Sequence, residues 1–487
     1  MKLEFELVSD LPRLAWAARL RKEERAVRIL HGPWVETRED CFFEGAWDGP
    51  FQDCRFDQAL TFVGSGARPA DDGIVFVGPS HTFERLYSVR AGEELFLSNS
   101  LAFLLALSGE HLDPKYPHYY LNFLDYYRAG IRVKEKRLRL DGPRFVELHD
   151  CCNIAIQSDL TISRIEKPIG PPPRDYEDYA AFLFRTAERV FANARDRARR
   201  WGYRPVTMLS QGYDTTAVSA LAAKAGCREA VTFRKSNSHV GYVDDSGAEI
   251  APYLSLRVTE YERTDYDGLP QRRDHEFYIE PNGIDRELAL MEEQLGGSLL
   301  LTGRFGERLW TRGPSATWGL PAFSGHPWFQ QPTVYRIGGL ALVEFRLRTG
   351  FIHFPLACSG GLHAPDIKAI SESRAMDPWS VGGAYDRPIA RRIAEDAGIP
   401  RRLFGQIKKG GPRERGPERR SWLGRVIFSL WRVVPLRLLV LRVTGNRLNP
   451  AWRRGSFAVQ RGVERSVEGY LSAISGAVAT RARGTAQ

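Results

Sequence analysis

The sequence is poor in the features that mark several protein classes. Six cysteines stand at positions 41, 54, 151, 152, 227 and 358, with no Cys-x-x-Cys pair and no histidine at zinc-ligand spacing beside them. That pattern argues against a zinc site or a disulfide framework and reads as reduced, mostly buried thiols of a cytosolic protein. No uninterrupted apolar run reaches the length needed to span a bilayer, and the opening MKLEFELVSD is charged and lacks the apolar core of a secretory signal. Internal repeats and extended low-complexity tracts are absent. So is the Gly-x-x-x-x-Gly-Lys-Ser/Thr spacing, and a Walker-type kinase or GTPase is not implied.

What remains is a chain of 487 residues with 43% apolar content, long enough for two or three domains with real cores. Its net charge of +10 suits anionic ligands, nucleic acid or an acidic membrane surface, and charge alone selects none of them. Most of the Lys and Arg side chains read as a solvated face. Basic residues interleaved with aromatics, or a known nucleic-acid module, are missing, so no nucleic-acid partner is expected.

The most informative stretch is 205–226, PVTMLSQGYDTTAVSALAAKAG. Val206, Thr207, Met208 and Leu209 form a short apolar, partly β-branched run, and Val218, Leu221, Ala222 and Ala225 follow at helical spacing. The period changes across Ser210–Thr216, which predicts a buried strand, a polar turn and an amphipathic helix closed by Gly226. Such a turn aims free backbone N–H groups and the positive end of a helix dipole at one spot, and the hydroxyls of Ser210, Thr215 and Thr216 add donors. Gly212 lets backbone approach a phosphate, and Asp214 offers a hard oxygen ligand for Mg²⁺. The plainer alternative is a strand-turn-helix connection with chance hydroxyls.

Residues 1–163 alternate in short apolar runs such as Ile74–Val77 and Leu95–Leu97, broken by Gly, Pro and Asp turns, and predict a β-rich domain with a few helices. KPIGPPPRD at 167–175 is too rich in proline for a helix or central strand and marks the domain boundary. Behind it Tyr179, Leu183, Ala187, Val190 and Ala194 make one stripe of a helix expected to end near Trp201. Ala230–Phe233 reads as a second strand, and 244–254 as helix-like. Strands alternating with helices argue for a parallel sheet, whose ligands gather at the carboxyl ends of the strands, near Phe233 and Arg234.

Ser210-Gln211-Gly212-Tyr213-Asp214-Thr215 resembles the Ser-Gly-Gly-x-Asp-Ser/Thr pyrophosphate loop of ATP pyrophosphatases, in particular the synthetase domain of asparagine synthetase-like proteins. Gln211 departs from the usual glycine and is tolerable if its φ stays negative. Residues 78–107 and 138–148 look like parts of the glutaminase domain that precedes the synthetase domain in that family. The family's glutaminase chemistry needs an N-terminal cysteine; position 2 is Lys2 and the first cysteine is Cys41, so a degenerate domain without glutaminase activity is expected. SLLLTGRFGERLW at 298–310 resembles the strand followed by Ser-Gly-Glu-Gly-x-Asp-Glu-Leu-Phe, with Thr302-Gly303 on Ser-Gly and Glu307 on the aspartate that shares Mg²⁺ with the loop Asp. Residues 342–356 look like Glu-x-Arg-x-Pro-Phe-Leu-Asp, with Arg346 where an acid is usual, Glu344 two residues away as the alternative acid/base, and His353 as a core histidine. Residues 385–412 resemble the terminal helix and Arg-x-Lys-x-Gly loop, which puts Lys408 in the catalytic lysine position with Lys409 as its rival.

The resemblance implies an α+β N-terminal Ntn-like domain at 1–167, a linker at 168–175, and an α/β parallel-sheet PP-loop synthetase domain at 176–487, related to the adenine nucleotide alpha hydrolases. It implies an ATP-dependent, AMP-forming amide ligase in which Mg²⁺·ATP adenylates a substrate carboxylate for attack by an amine or ammonia. Leu209 to Thr215, Phe233 and Gly303 would bind nucleotide, Asp214 and Glu307 the metal, and Lys408, Lys409 and Glu344 would serve catalysis. A catalytically degenerate nucleotide-binding scaffold is the alternative. Arg425 and Arg432 lie on one face of the basic segment 421–443, which reads either as helices packed on the synthetase domain or as a peripheral contact with an anionic membrane.

Overall fold

The computed structural model describes residues 1–129, 135–236, 243–270, 274–277, 286–313, 342–383, 385–409 and 450–484. The basic segment 421–443 lies outside the described residues.

The described residues among the first 166 form thirteen strands in two sheets. These are β1 Lys2–Leu7, β2 Trp16–Arg21, β3 Ala26–His31, β4 Glu36–Arg38, β5 Cys41–Trp47, β6 Phe62–Ala70, β7 Gly73–Val77, β8 Arg85–Ala91, β9 Glu94–Ser98, β10 Arg137–Arg139, β11 Phe145–Asp150, β12 Cys152–Ile156 and β13 Ile162–Glu166. One sheet runs β1-β3-β2-β9-β8-β11-β10 and the other β13-β12-β7-β6-β5-β4; every pairing is antiparallel except β1 with β3. Period-2 alternation sorts the side chains. Trp16, Ala18, Leu95 and Leu97 point between the sheets to meet Phe42, Phe76 and Ile154, whereas Ala17 and Phe96 point outward beneath α1 Leu101–Ser108. α1 starts where the Ser100 side chain accepts from Phe103 N at 3.0 Å and stops at Gly109, φ 69°. A second helix, α2 Tyr119–Ala129, follows.

After the proline-rich linker comes α3 Tyr176–Ala194, capped by Asp175 and buried at all five positions of the expected stripe. It ends seven residues before Trp201, earlier than the sequence suggests. The parallel sheet then forms in the order β16-β15-β14-β17-β18, from β14 Arg204–Met208, β15 Glu229–Phe233, β16 Arg257–Tyr261, β17 Ser298–Leu301 and β18 Ile352–Phe354. α4 Tyr213–Lys224 covers one face of this sheet, while Phe345, Phe351, Met291 and Leu295 close the other. Both faces are dry, as parallel sheets require. Four short helices follow: α5 Glu292–Leu295, α6 Gly306–Leu309, α7 Val343–Thr349 and α8 Ala364–Glu372. The chain continues through α9 Pro388–Asp396 and ends in α10 Pro450–Gly484.

Two further expectations change, and one element is new. α4 is buried nearly all round rather than on one face, because Tyr213, Ala217, Ser219 and Ala220 are enclosed as fully as Val218 and Leu221. Residues 244–254 form only a 3₁₀ turn at Ala251–Leu254, since Asp244 and Ser246 are used in isolated bridges to Lys235 and Ser210. α10 is a long helix that the sequence reading did not single out; it lies against α1 and α2, with the Phe103 and Tyr470 rings stacked at 4.7 Å. Among the described residues no helix is long and apolar enough to cross a membrane.

Candidate functional site

The chain leaves β14 at the carboxyl edge of the parallel sheet and turns into α4 through Ser210, Gln211 and Gly212. Gly212 is the N-cap, with φ −77° and ψ 154°. Ser210 Oγ sits 2.8 Å from Thr215 Oγ1 and accepts from Gly212 N at 3.2 Å, while Thr216 Oγ1 donates to Gly212 O at 2.7 Å. Hydroxyls and the first amides of a twelve-residue helix therefore crowd one turn, with Asp214 in it. Gln211, the departure from the loop pattern, is not among the residues with positive φ. Its side chain ties the turn down: Nε2 donates to Asp244 Oδ2 at 2.7 Å, Oε1 accepts from Lys409 Nζ, and its backbone O accepts from Gly405 N at 2.8 Å.

Asp214 is held by the neighbouring loop after β17. A Cβ on Gly303 would fall 2.6 Å from Asp214 C and 2.7 Å from Thr215 N, and one on Gly306 would fall 2.8 Å from Asp214 Oδ1. Only glycine allows this approach. Arg387 Nη1 donates to Asp214 Oδ2, whereas Oδ1 is buried and has no hydrogen-bond partner. Burial pushes the Asp214 carboxyl up to about 6 against the pull of Arg387, and the Glu307 charge adds to the rise while Lys408 opposes it. Asp214, Gly303, Glu307 and Lys408, drawn from three segments far apart in sequence, thus converge. Lys409 reaches the other side of the turn, donating to Asp244 O at 2.6 Å as well as to Gln211. Tyr213 faces inward: its hydroxyl accepts from Arg391, its ring lies 4.8 Å from that of Tyr385, and Gly405, at φ 66°, passes where a Cβ would strike the ring.

The other expected residues are engaged with different partners. Phe233 is buried at the end of β15 with the Arg263 guanidinium 4.0 Å over its ring, and Arg234 pairs with Glu260 at 2.9 Å. Both Glu344 oxygens accept buried hydrogen bonds, from Ser100 Oγ at 2.6 Å and Tyr470 OH at 2.8 Å, on the side of α7 that meets α1 and α10. Arg346 is a buried ion-pair centre, 2.7 Å from both Glu44 and Glu84. His353 is buried with Nε2 2.9 Å from Thr302 Oγ1, and burial holds its imidazole well below the ordinary range. Sequence reasoning passed over Arg387, Arg391 and Asp244. The only available signal was the arginine-rich start of 385–412.

A Mg²⁺ ion would find one orphaned buried carboxylate oxygen here, Asp214 Oδ1, with the Glu307 charge acting on it. Among the described residues no group of three acidic, histidine or cysteine side chains assembles, so most of its shell would have to come from elsewhere. No protein-family model matches this sequence, and no curated protein matches it either.

Proposed function

We propose that the chain is an ATP-dependent, AMP-forming amide ligase of the asparagine synthetase-like kind, with a PP-loop nucleotide-binding unit behind a degenerate Ntn-like domain. One observation carries this reading: the Ser210–Thr215 turn, the Gly303–Glu307 loop and the Lys408–Lys409 segment converge around Asp214 at the carboxyl edge of a parallel sheet. The α4 amides with the Ser210 and Thr215 hydroxyls would hold the departing pyrophosphate. Mg²⁺ would neutralise phosphate charge, held by Asp214 and Glu307. Lys408 would stabilise negative charge developing at the α–β bridge. An amine or ammonia would then attack the acyl-adenylate and release AMP.

A scaffold without catalysis has one specific support. Arg387 already neutralises Asp214, and Lys409 is committed to Gln211, so part of the charge meant for phosphate is used internally. Calorimetric titration of Mg²⁺·ATP into the native chain and Asp214→Ala tests the nucleotide site that both readings share, and a folded native chain that binds no ATP sinks both. Pyrophosphate release from Mg²⁺·ATP with a panel of carboxylates and amines decides between them: release that Lys408→Ala loses supports the ligase, and ATP binding with no release across the panel supports the scaffold.

A further inference from the structure

A cavity of about 310 Å³ lies between the first β-sandwich, the proline-rich linker, α3 and the segment after β18. That is room for roughly ten waters at their liquid volume, the lower end of the range for small-molecule sites. Its body is apolar, formed by Phe62, Val63, Phe182, Phe305, Phe354 and Pro355. Lys167 and His81 are among the buried polar side chains that line it, with Thr61, Thr82, Thr186 and Ser359. Lys167 is 6% exposed; its ammonium donates to Gly78 O and lies 5.7 Å over the Phe62 ring. No carboxylate among the described residues pairs with it; the acid whose charge reaches it, Asp57, is bound to Arg68 at 2.9 Å. His81 accepts from Phe83 N through Nδ1, which leaves the proton on Nε2, and that atom is buried without a hydrogen-bond partner. The acids of the lining are answered locally: Asp48 accepts from Thr61 N and feels Arg189, and Asp178 is bonded by Arg174.

We infer that this cavity binds a small carboxylic acid with an apolar body, its carboxylate meeting the Lys167 ammonium and the His81 Nε2–H and its body lying on Phe62, Phe182 and Phe354. A buried cation lacking an acid partner is costly, and an anionic ligand supplies that partner. A mostly apolar lining with a small number of polar groups, a cation among them, is the composition of a ligand pocket rather than of a packing defect. Phe305, the wall shared with the nucleotide turn, takes φ 66° in the loop that encloses Asp214, a strained conformation placed between the two sites. The inference stands apart from the ligase reading, because it concerns binding and requires no nucleotide.

The test is calorimetric titration of the full chain, without nucleotide, with 3-phenylpropanoate and with its uncharged counterpart 3-phenylpropan-1-ol. The acid should bind saturably and at least about tenfold more tightly than the alcohol, as expected of a desolvated charge-assisted contact. Lys167→Met should bring the two affinities within about threefold. Phe182→Ala, at a half-buried position, should weaken both ligands alike and keep the preference. No saturable binding of the acid, equal binding of acid and alcohol to the native chain, a preference that survives Lys167→Met, or affinities untouched by Phe182→Ala would each overturn the inference. The native comparison holds even if Lys167→Met does not fold.

Discussion

At the scale of single residues the site depends on what two glycines leave out. Gly303 and Gly306 press on Asp214 from the loop after β17, and the two nearest atoms a methyl group would meet at Gly303 are backbone, which cannot swing aside. Gly303→Ala should therefore destabilise the chain by about 1–3 kcal/mol, the ordinary cost of overpacking, and on the proposed ligase reading should also abolish Mg²⁺·ATP binding. Urea unfolding and calorimetry on one sample check both; a stable variant that binds nucleotide normally would refute this view of the loop. Arg387 matters in the opposite sense, as a partner supplied. Arg387→Met leaves a buried carboxylate alone, and a loss of about 3–5 kcal/mol is expected near neutral pH. Asp214, Gly212 and Gly303 were legible in the sequence because each belongs to a short local pattern. Arg387 was not, since it reaches Asp214 across 173 residues and leaves no local trace.

At the scale of elements, α10 is secured by polar contacts as well as by its apolar stripe. Ser456, Val459, Gln460, Val463, Val467 and Tyr470 are buried at helical spacing, Gln460 Nε2 donates to Asp113 O at 2.7 Å, and Tyr470 donates to Glu344. Tyr470→Phe keeps the ring stacked on Phe103 and removes the donor, so a loss of about 1–3 kcal/mol is expected from the buried acceptor left behind. Thermal or urea unfolding would measure it. β18 and the loop before β8 meet through His353 and His81, with ring centroids 5.9 Å apart. Burial holds the His81 imidazole down at about 3 and that of His353 well below its ordinary value. Below pH ~6.5 the unfolded chain takes up protons that these folded imidazoles refuse, so stability falls as pH drops, by up to about 1.4 kcal/mol per unit for each. Glu84, raised to about 7 by burial, acts the other way, its contribution being lost as pH rises through that value. Comparison with His353→Gln isolates the histidine: the stability gap between native and variant should change in the variant's favour between pH 7 and pH 5. An identical gap at both would be evidence against it.

At the scale of the whole molecule one core is common to the two halves. A continuous apolar cluster runs from Phe96 and Phe103 through Leu183 and Ala187 to Val218 and Leu301, beside clusters confined to each half. Across the same boundary Arg346 pairs with Glu44 and Glu84, and Asn193 Nδ2 donates to Gly49 O at 2.8 Å. Arg346→Met should cost about 3–5 kcal/mol by stranding two buried carboxylates. Urea unfolding of the native chain followed by far-ultraviolet dichroism and by tryptophan fluorescence should give coincident transitions. Two separated transitions would mean that the halves fold apart.

The sequence by itself determined part of the local structure. Period-2 runs pointed to a β-rich first unit and the 205–226 stretch to strand, turn and helix, because these depend on neighbours within one turn of chain. Only the tertiary structure decided which charges are spent and which are free. It put Arg387 on Asp214, Lys409 on Gln211, and Glu344 and Arg346 into buried pairs with the first unit, and it left Lys167 facing an apolar cavity. The physical reason is that a charge takes its meaning from partners and burial, and both are fixed by segments hundreds of residues away.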